Sequence, residues 1–380
     1  MNIKNVPKKK TTRRQSQATI EKRKKTIRKK QRAKKRKAFL RKLAIVCGVI
    51  IAILVLVLAV ILLKKMKQQE EKPADSSQSA MLAVDLDDVL HLSFSSLIAD
   101  TEEAFQQEDE NSVALIAQKH ITVREFNQIL QKLYDNRYLL IDIDDLIEVN
   151  EITGKIQEKE LLIPQGKRPL LLSQQDVSYP LEDSGKGFAS KLILDDQGKI
   201  TCTAKDEYGN LSYGAYDFVA CLEAFIETHP DFSYQGARGI LGVTGYNGIL
   251  GYRTNPLLGQ STDNVYLAEH GLFDVEKETA DAVKMVEELR SRGWKFACNG
   301  YENQSYKTSP DVVKADMELW KAQVEPVIGK TNILLFPLGT DIQNWDTYEK
   351  SNQIYTYLEE QGFQVFAAGE LSGSWMQLTE

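Results

Sequence analysis

Asn299 and Asn303 stand four apart directly after a strand-like run, Gly293-Trp294-Lys295-Phe296-Ala297-Cys298. Imidazoles in those two places would give zinc soft nitrogen donors; a carboxamide oxygen is a neutral, weak substitute. The other candidate donors do not make up the deficit. The four histidines, His91, His120, His229 and His270, are scattered and read mainly as structural. Cys47 falls in a long apolar run, leaving Cys202, Cys221 and Cys298, an odd number at no regular spacing. That is no disulfide framework; buried free thiols are the plainer reading, although one bridge with a spare thiol fits the count. Gly239–Gly251 is glycine-rich but lacks a following Lys-Ser/Thr. A strand with tight turns explains it better than a phosphate cradle. No GxGxxG follows the first strand, so a dinucleotide site is unsupported.

The elements that must position these residues follow from patterning. Val89–Phe94 reads as a strand. Thr122-Val123-Arg124-Glu125 is a capping box, opening a helix that buries Phe126, Ile129, Leu130 and Leu133 on one face. Tyr138–Ile143 is the next strand, and Pro169–Ser173 is an unbroken apolar run of the kind buried on both faces. Lys191–Leu194 and Ile200–Ala204 flank Asp196-Gln197-Gly198 and predict a hairpin. A helix from Asp217 to about Thr228 leads to the strand Gly239–Thr244. Lys277–Arg292 is a helix stopped by Gly293, and Trp294–Cys298 a strand. Ser309-Pro310 opens another helix. The strand Ile333–Phe336, a helix near Tyr348–Gln361 and the strand Gln364–Ala367 complete the series. Repeated β-then-α units predict an α/β fold with parallel pairing, as a closed or nearly closed barrel or as a doubly wound open sheet.

Charge divides the 380-residue chain. Residues 1–67 carry 23 Lys/Arg and one acid, Glu21, a sum of +22; the remaining 25 basic and 52 acidic groups sum to −27. Between the extremes lies Leu43–Leu63, 21 residues without a charge, enough for a helix to cross about 30 Å of hydrocarbon. A cleaved signal peptide would have a shorter apolar core and a small-residue cleavage site, so an uncleaved anchor is the expectation. Twenty basic residues precede the span against Lys64, Lys65 and Lys67 after it, which predicts a cytoplasmic N-terminus and an extracellular remainder at the cell membrane. Residues 1–42 read as a disordered basic tail with an affinity for anionic inner-leaflet lipid. Without groove-reading or aromatic patterning, nucleic acid is not an expected partner. Residues 64–83 read as a linker, polar with Pro and Ser from Gln68 to Ala83, and 84–380 as the outer domain.

Several stretches combine into something more specific: Ser96-Leu97-Ile98-Ala99-Asp100, Val123–Tyr134, Pro169–Tyr179 (PLLLSQQDVSY), Asp231–Thr254, Gly293–Tyr301, and Phe336–Asp341 (FPLGTD) with Trp345. In order and spacing they resemble the polysaccharide deacetylase family, the one with the NodB homology domain, over most of 88–380, and look closest to a membrane-anchored Gram-positive branch. The resemblance implies an incomplete (β/α) barrel behind a single transmembrane helix. It implies a site at the C-terminal strand ends, where a divalent metal such as zinc polarises an acetamide carbonyl and a carboxylate takes a proton from water.

The motifs depart from that pattern. Where the family reads Ser-Gln-Asp-Asp-Val, this chain reads Ser173-Gln174-Gln175-Asp176-Val177. The resemblance puts Gln175 at the base position, Asp176 at a metal-ligand position, Asn299 and Asn303 at the two histidine ligands, and Ser95 at a further histidine. Glutamine accepts no proton at neutral pH, and one carboxylate with two carboxamides would hold Ca²⁺ or Mg²⁺ loosely and zinc poorly. Cys298, one residue early, should face away from the site. The expectation is a catalytically inactive homologue, without a cofactor, binding a cell-wall or surface N-acetylated glycan or an envelope protein. Its groove would be lined by Tyr179, Tyr246, Tyr252, Arg253, Tyr301 and Trp345. The alternatives are an active N-deacetylase with an altered site and an inert envelope scaffold.

Overall fold

A computed structural model describes residues 80–106, 110–150, 153–260, 267, 270–343, 348–370 and 373–378. The expected tail 1–42, the span Leu43–Leu63 and most of the linker 64–83 lie outside them. Among the described residues no helix is long and apolar enough to cross a membrane. In chain order the strands are β1 (Met81–Val84), β2 (Leu90–Phe94), β3 (Tyr138–Leu140), β4 (Ile147–Val149), β5 (Ile156–Glu158), β6 (Leu161–Pro164), β7 (Arg168–Gln174), β8 (Ala189–Leu194), β9 (Ile200–Lys205), β10 (Leu211–Gly214), β11 (Ile240–Val243), β12 (Lys295–Cys298), β13 (Ile333–Leu335), β14 (Val365–Glu370) and β15 (Gly373–Leu378). The longer helices are α1 (Glu110–Lys119), α2 (Val123–Asp135), α3 (Phe218–Thr228), α4 (Val275–Ser291), α5 (Pro310–Gln323) and α6 (Gln353–Glu360).

The main sheet runs β15-β14-β13-β12-β11-β7-β2, with β3 pairing the first half of β7. Every pair is parallel except β14–β15. Its edges come together, β14 and β15 lying against β2, so the α/β fold is a nearly closed barrel rather than an open sheet. Alternation along the strands sorts the side chains. Leu171, Ile240, Ala297, Ile333, Leu335, Val365 and Ala367 share an interior cluster with Val84, Ile147, Leu161 and Ile163 from the smaller strand pairs. Leu172, Leu241, Phe296, Cys298 and Phe366 face the helices on the other side. Cys298 is therefore turned away from the interior, as its register predicts.

Local signals hold where they are local. Thr122 and Glu125 form both halves of the capping box ahead of α2. Asp274 caps α4, and Gly293 follows that helix at φ +99°. The differences have physical reasons. β3 stops at Leu140 because Asp142 caps a 3-10 turn at Ile143–Asp145. α6 starts only at Gln353, where the Asn352 side chain accepts from the amides of Ile354 and Tyr355. The hairpin β8–β9 carries a third strand, β10. Met81–Val84, which runs from the segment read as linker (64–83) into the outer domain, is a strand because it pairs antiparallel with Leu161–Pro164 and buries Val84.

Candidate functional site

A cavity of about 580 Å³ opens at the C-terminal ends of the barrel strands. Ser95 and Ser96 reach it after β2, Gln175 and Asp176 after β7, Tyr246 after β11 and Asn303 after β12, while α1 forms an outer wall. Its centre is Asp176, held at φ +50°, in the left-handed region that aspartate tolerates better than most residues. Thr244 Oγ1 donates to Asp176 Oδ1 at 2.6 Å, Tyr246 Oη to Oδ2 at 2.9 Å, and Asn303 Nδ2 to Oδ2 at 2.7 Å. Burial pushes the Asp176 carboxyl above its ordinary range; hydroxyls of Thr244, Ser178 and Tyr246 pull it back, and the charge of Glu182 adds to the rise.

Asn299 is fully buried. Its Oδ1 accepts from the Asp176 amide at 2.7 Å and its Nδ2 donates to the Leu335 carbonyl at 2.9 Å. Gly242 makes room for it, since a Cβ there would lie 3.2 Å from Asn299 Cβ. Gln175 is equally committed. Its Nε2 donates to the Gly369 carbonyl at 2.7 Å and to Ser93 Oγ at 3.2 Å, while its Oε1 accepts from the Gly339 amide at 2.8 Å. One carboxamide thus bridges β2, β14 and the turn after β13, across the seam that closes the barrel. Behind it Ser173 Oγ donates to Ser93 Oγ at 2.9 Å, and His91 Nε2 lies 2.8 Å from Ser173 Oγ. Burial lowers His91 to about 4, so its ring is neutral at pH 7.

The outer wall carries His120, read from the sequence as mainly structural, and two carboxylates that the sequence did not mark as site residues. His120 lines the cavity, with Nδ1 2.8 Å from the Ser96 carbonyl and its ring edge-on to Phe188. Glu182 and Asp183 also line it. Burial, helped by the charges of Glu182 and Asp176 and opposed by Lys186, raises Asp183 from 3.8 to about 6. The usable signal for Ser93 was the polar alternation His91, Ser93, Ser95 along a strand otherwise apolar; Asp183 lies in a turn whose side-chain direction no pattern fixes.

Of the residues expected in the groove, Tyr246 lines the cavity beside Asp176, while Tyr179, Tyr252, Arg253 and Tyr301 pack elsewhere. Tyr179 is 2% exposed within the outer core. Tyr252 lies under the Lys191 ammonium, 4.5 Å from its ring centre. Arg253 is buried and donates Nη1 to the Ser178 and Asn247 carbonyls, tying the loops after β7 and β11 together. Tyr301 crowds Gly245 and donates Oη to Gln323 at 2.7 Å. These four side chains are buried in packing and do not line this cavity. Trp345 lies outside the described residues.

The donor set does not fit the divalent metal that the resemblance implies. Both Asp176 oxygens already accept hydrogen bonds, Asn303 presents its NH₂ to that carboxylate, and both ends of Asn299 are bound to backbone. Among the described residues no group of three or more His, Cys, Asp or Glu is placed to hold a metal ion.

No protein-family model matches the chain, and no curated protein matches it. Among solved structures it is similar to a Streptococcus pyogenes deacetylase, PplD, in complex with acetate, at 12% identity and a TM-score of 0.33, over 75% of this chain and 82% of that one. It is also similar to a polysaccharide deacetylase from Bacillus cereus, at 11% identity and a TM-score of 0.37, over 79% of this chain and 61% of that one, less than two thirds of its length. Likeness of this degree decides nothing about chemistry, which rests on the side chains described above.

Proposed function

We propose that this chain is a deacetylase-like protein, anchored in the cell membrane by Leu43–Leu63 with residues 68–380 outside, that binds an N-acetylated cell-envelope glycan in the barrel-mouth cavity without hydrolysing it. The observation that carries the reading is Gln175. The Gly339 N–H demands an acceptor from it and the Gly369 C=O demands a donor, so its amide orientation is fixed and no proton acceptor faces the cavity from that position. Asp176, its neighbour, organises Thr244, Tyr246 and Asn303 rather than offering a free carboxylate. What remains is a polar cavity of a size suited to a small ligand.

The test is made on the purified full-length chain. Its zinc content is measured, its deacetylation of chitin oligomers and peptidoglycan is assayed, and its retention on the same glycans is followed. The reading expects glycan retention without stoichiometric zinc and without acetate release. Stoichiometric zinc with turnover overturns it.

A second reading, a hydrolase with a reorganised acid–base pair, draws on one observation. Asp183, raised to about 6, lines the same cavity as the half-buried His120, whose pKa is lowered chiefly by burial. It expects acetate release that falls on Asp183→Asn and His120→Ala.

A further inference from the structure

The hydrogen bonds beneath the cavity fix the direction of one hydroxyl. Ser93 is 3% exposed and lines the cavity. Its Oγ accepts from Ser173 Oγ at 2.9 Å and from Gln175 Nε2 at 3.2 Å. Gln175 cannot be turned round to accept instead, because Gly369 C=O can only accept from it and Gly339 N–H can only donate to it. Ser173 gives its one proton to Ser93, so His91 must fill the remaining place with its Nε2–H. A serine oxygen has two acceptor sites and one proton. Both acceptor sites of Ser93 are filled from inside the barrel, and among the described residues no acceptor takes its proton. A donor in so buried a position needs a partner, and the cavity is where one can stand.

We propose that Ser93 Oγ–H is a specificity-determining donor at the cavity floor, aimed at an uncharged carbonyl oxygen such as that of an acetamido group. This rests on the glycan reading above and names the part of the ligand that goes deepest. The charge of the cavity selects the acceptor. Asp176, Glu182 and Asp183 outnumber the one lysine that lines it, Lys119, so a carboxylate or phosphate would meet a net like charge. Glu182 and Asp183 can accept from sugar hydroxyls, which leaves the carbonyl for the floor. His91, Ser173 and Gln175 all donate toward Ser93, so their dipoles add along the chain and strengthen its outward donation.

The experiment measures dissociation constants of the full-length chain for an N-acetylglucosamine tetramer and for a glucose tetramer of the same linkage. Wild type is expected to prefer the acetylated tetramer. Ser93→Ala is expected to weaken that tetramer about tenfold, the range of one lost hydrogen bond, and to leave the glucose tetramer within about twofold. Ser93→Thr, which keeps the hydroxyl, is expected to restore the preference. Ser173→Ala disturbs the same buried network but leaves Ser93 its proton, so it is expected to keep the preference. Wild-type binding with an unchanged preference in Ser93→Ala overturns the assignment alone, as does an equal loss for both sugars in Ser93→Ala and Ser173→Ala. Wild-type protein that binds neither tetramer overturns the glycan reading and this assignment together.

Discussion

At the residue scale, Asn299 and Gln175 are locked by backbone partners and the Asp176 carboxylate by the side chains of Thr244, Tyr246 and Asn303, and the site's behaviour with pH follows from that. Gln175→Glu keeps the volume and removes the donor. A carboxylate would then face the Gly369 carbonyl and Ser93, so its folded-state pKa would rise above that of the unfolded chain. Such a group costs stability as pH rises through the raised value, and little below the unfolded one. Denaturant unfolding of Gln175→Glu against wild type should show a deficit of about 2 kcal/mol at pH 7 that shrinks toward pH 4. A deficit independent of pH would mean that the amide does not hold the seam by donating. Asp183 already shows the same sign in the native protein. Its rise from 3.8 to about 6 favours the fold below the lower value and is lost as pH climbs through the higher one. Asp183→Asn should therefore be more stable than wild type at pH 7, by on the order of 2 kcal/mol, and the gain should vanish near pH 4. Equal stability of the two proteins across that window would remove Asp183 as a strained group.

At the element scale, helix α5 governs the loop that carries Asn303. Asp316, 2% exposed on α5, accepts from the amides of Tyr301 and Glu302 at 2.8 and 2.9 Å and from Tyr306 Oη at 2.7 Å. Gly300, at φ +74°, brings the chain so close that a Cβ would sit 2.9 Å from the Asp316 carboxylate. Asp316→Ala should cost about 3 kcal/mol, since it strands several buried donors, and should speed amide exchange at Tyr301 and Glu302 well before global unfolding. Unchanged exchange there would mean that the loop holds itself. This coupling also marks the limit of what was legible in the sequence. β7, β11, β12 and the α2 capping box could be read because period and cap chemistry are local. The family resemblance, rather than patterning, put Gln175, Asp176, Asn299 and Asn303 at the strand ends; Gln175, Asp176 and Asn303 line the cavity there, while Asn299 is fully buried. The ring directions of Tyr179, Tyr252 and Tyr301 could not be read, because each is set by a partner distant in sequence: the outer core, Lys191, and Gly245 with Gln323. The wall helix α1 escaped notice because it buries so little; Ile116, packed against Ile98, Ala104 and Phe188, is its one apolar anchor among the described residues.

At the scale of the whole molecule, charge and apolar length decide which side of a membrane the barrel would face. The +22 of residues 1–67 and the −27 of the remainder are separated by the uncharged Leu43–Leu63. The basic residues nearest the span count most for orientation, and Lys34, Lys35, Arg36, Lys37, Arg41 and Lys42 precede it against Lys64, Lys65 and Lys67 behind it. On the orientation proposed above the cavity would open to the envelope, where a glycan ligand would be met. Protease added to intact spheroplasts expressing the full chain should digest 68–380 and spare an epitope placed at the N-terminus; after lysis both should be lost. Replacing all twenty basic residues that precede the span with glutamine should reverse the bias and render a fraction of the barrel protease-resistant in intact cells. Protection of the barrel in the unaltered chain would put the cavity on the cytoplasmic side and leave an envelope glycan without access to Ser93.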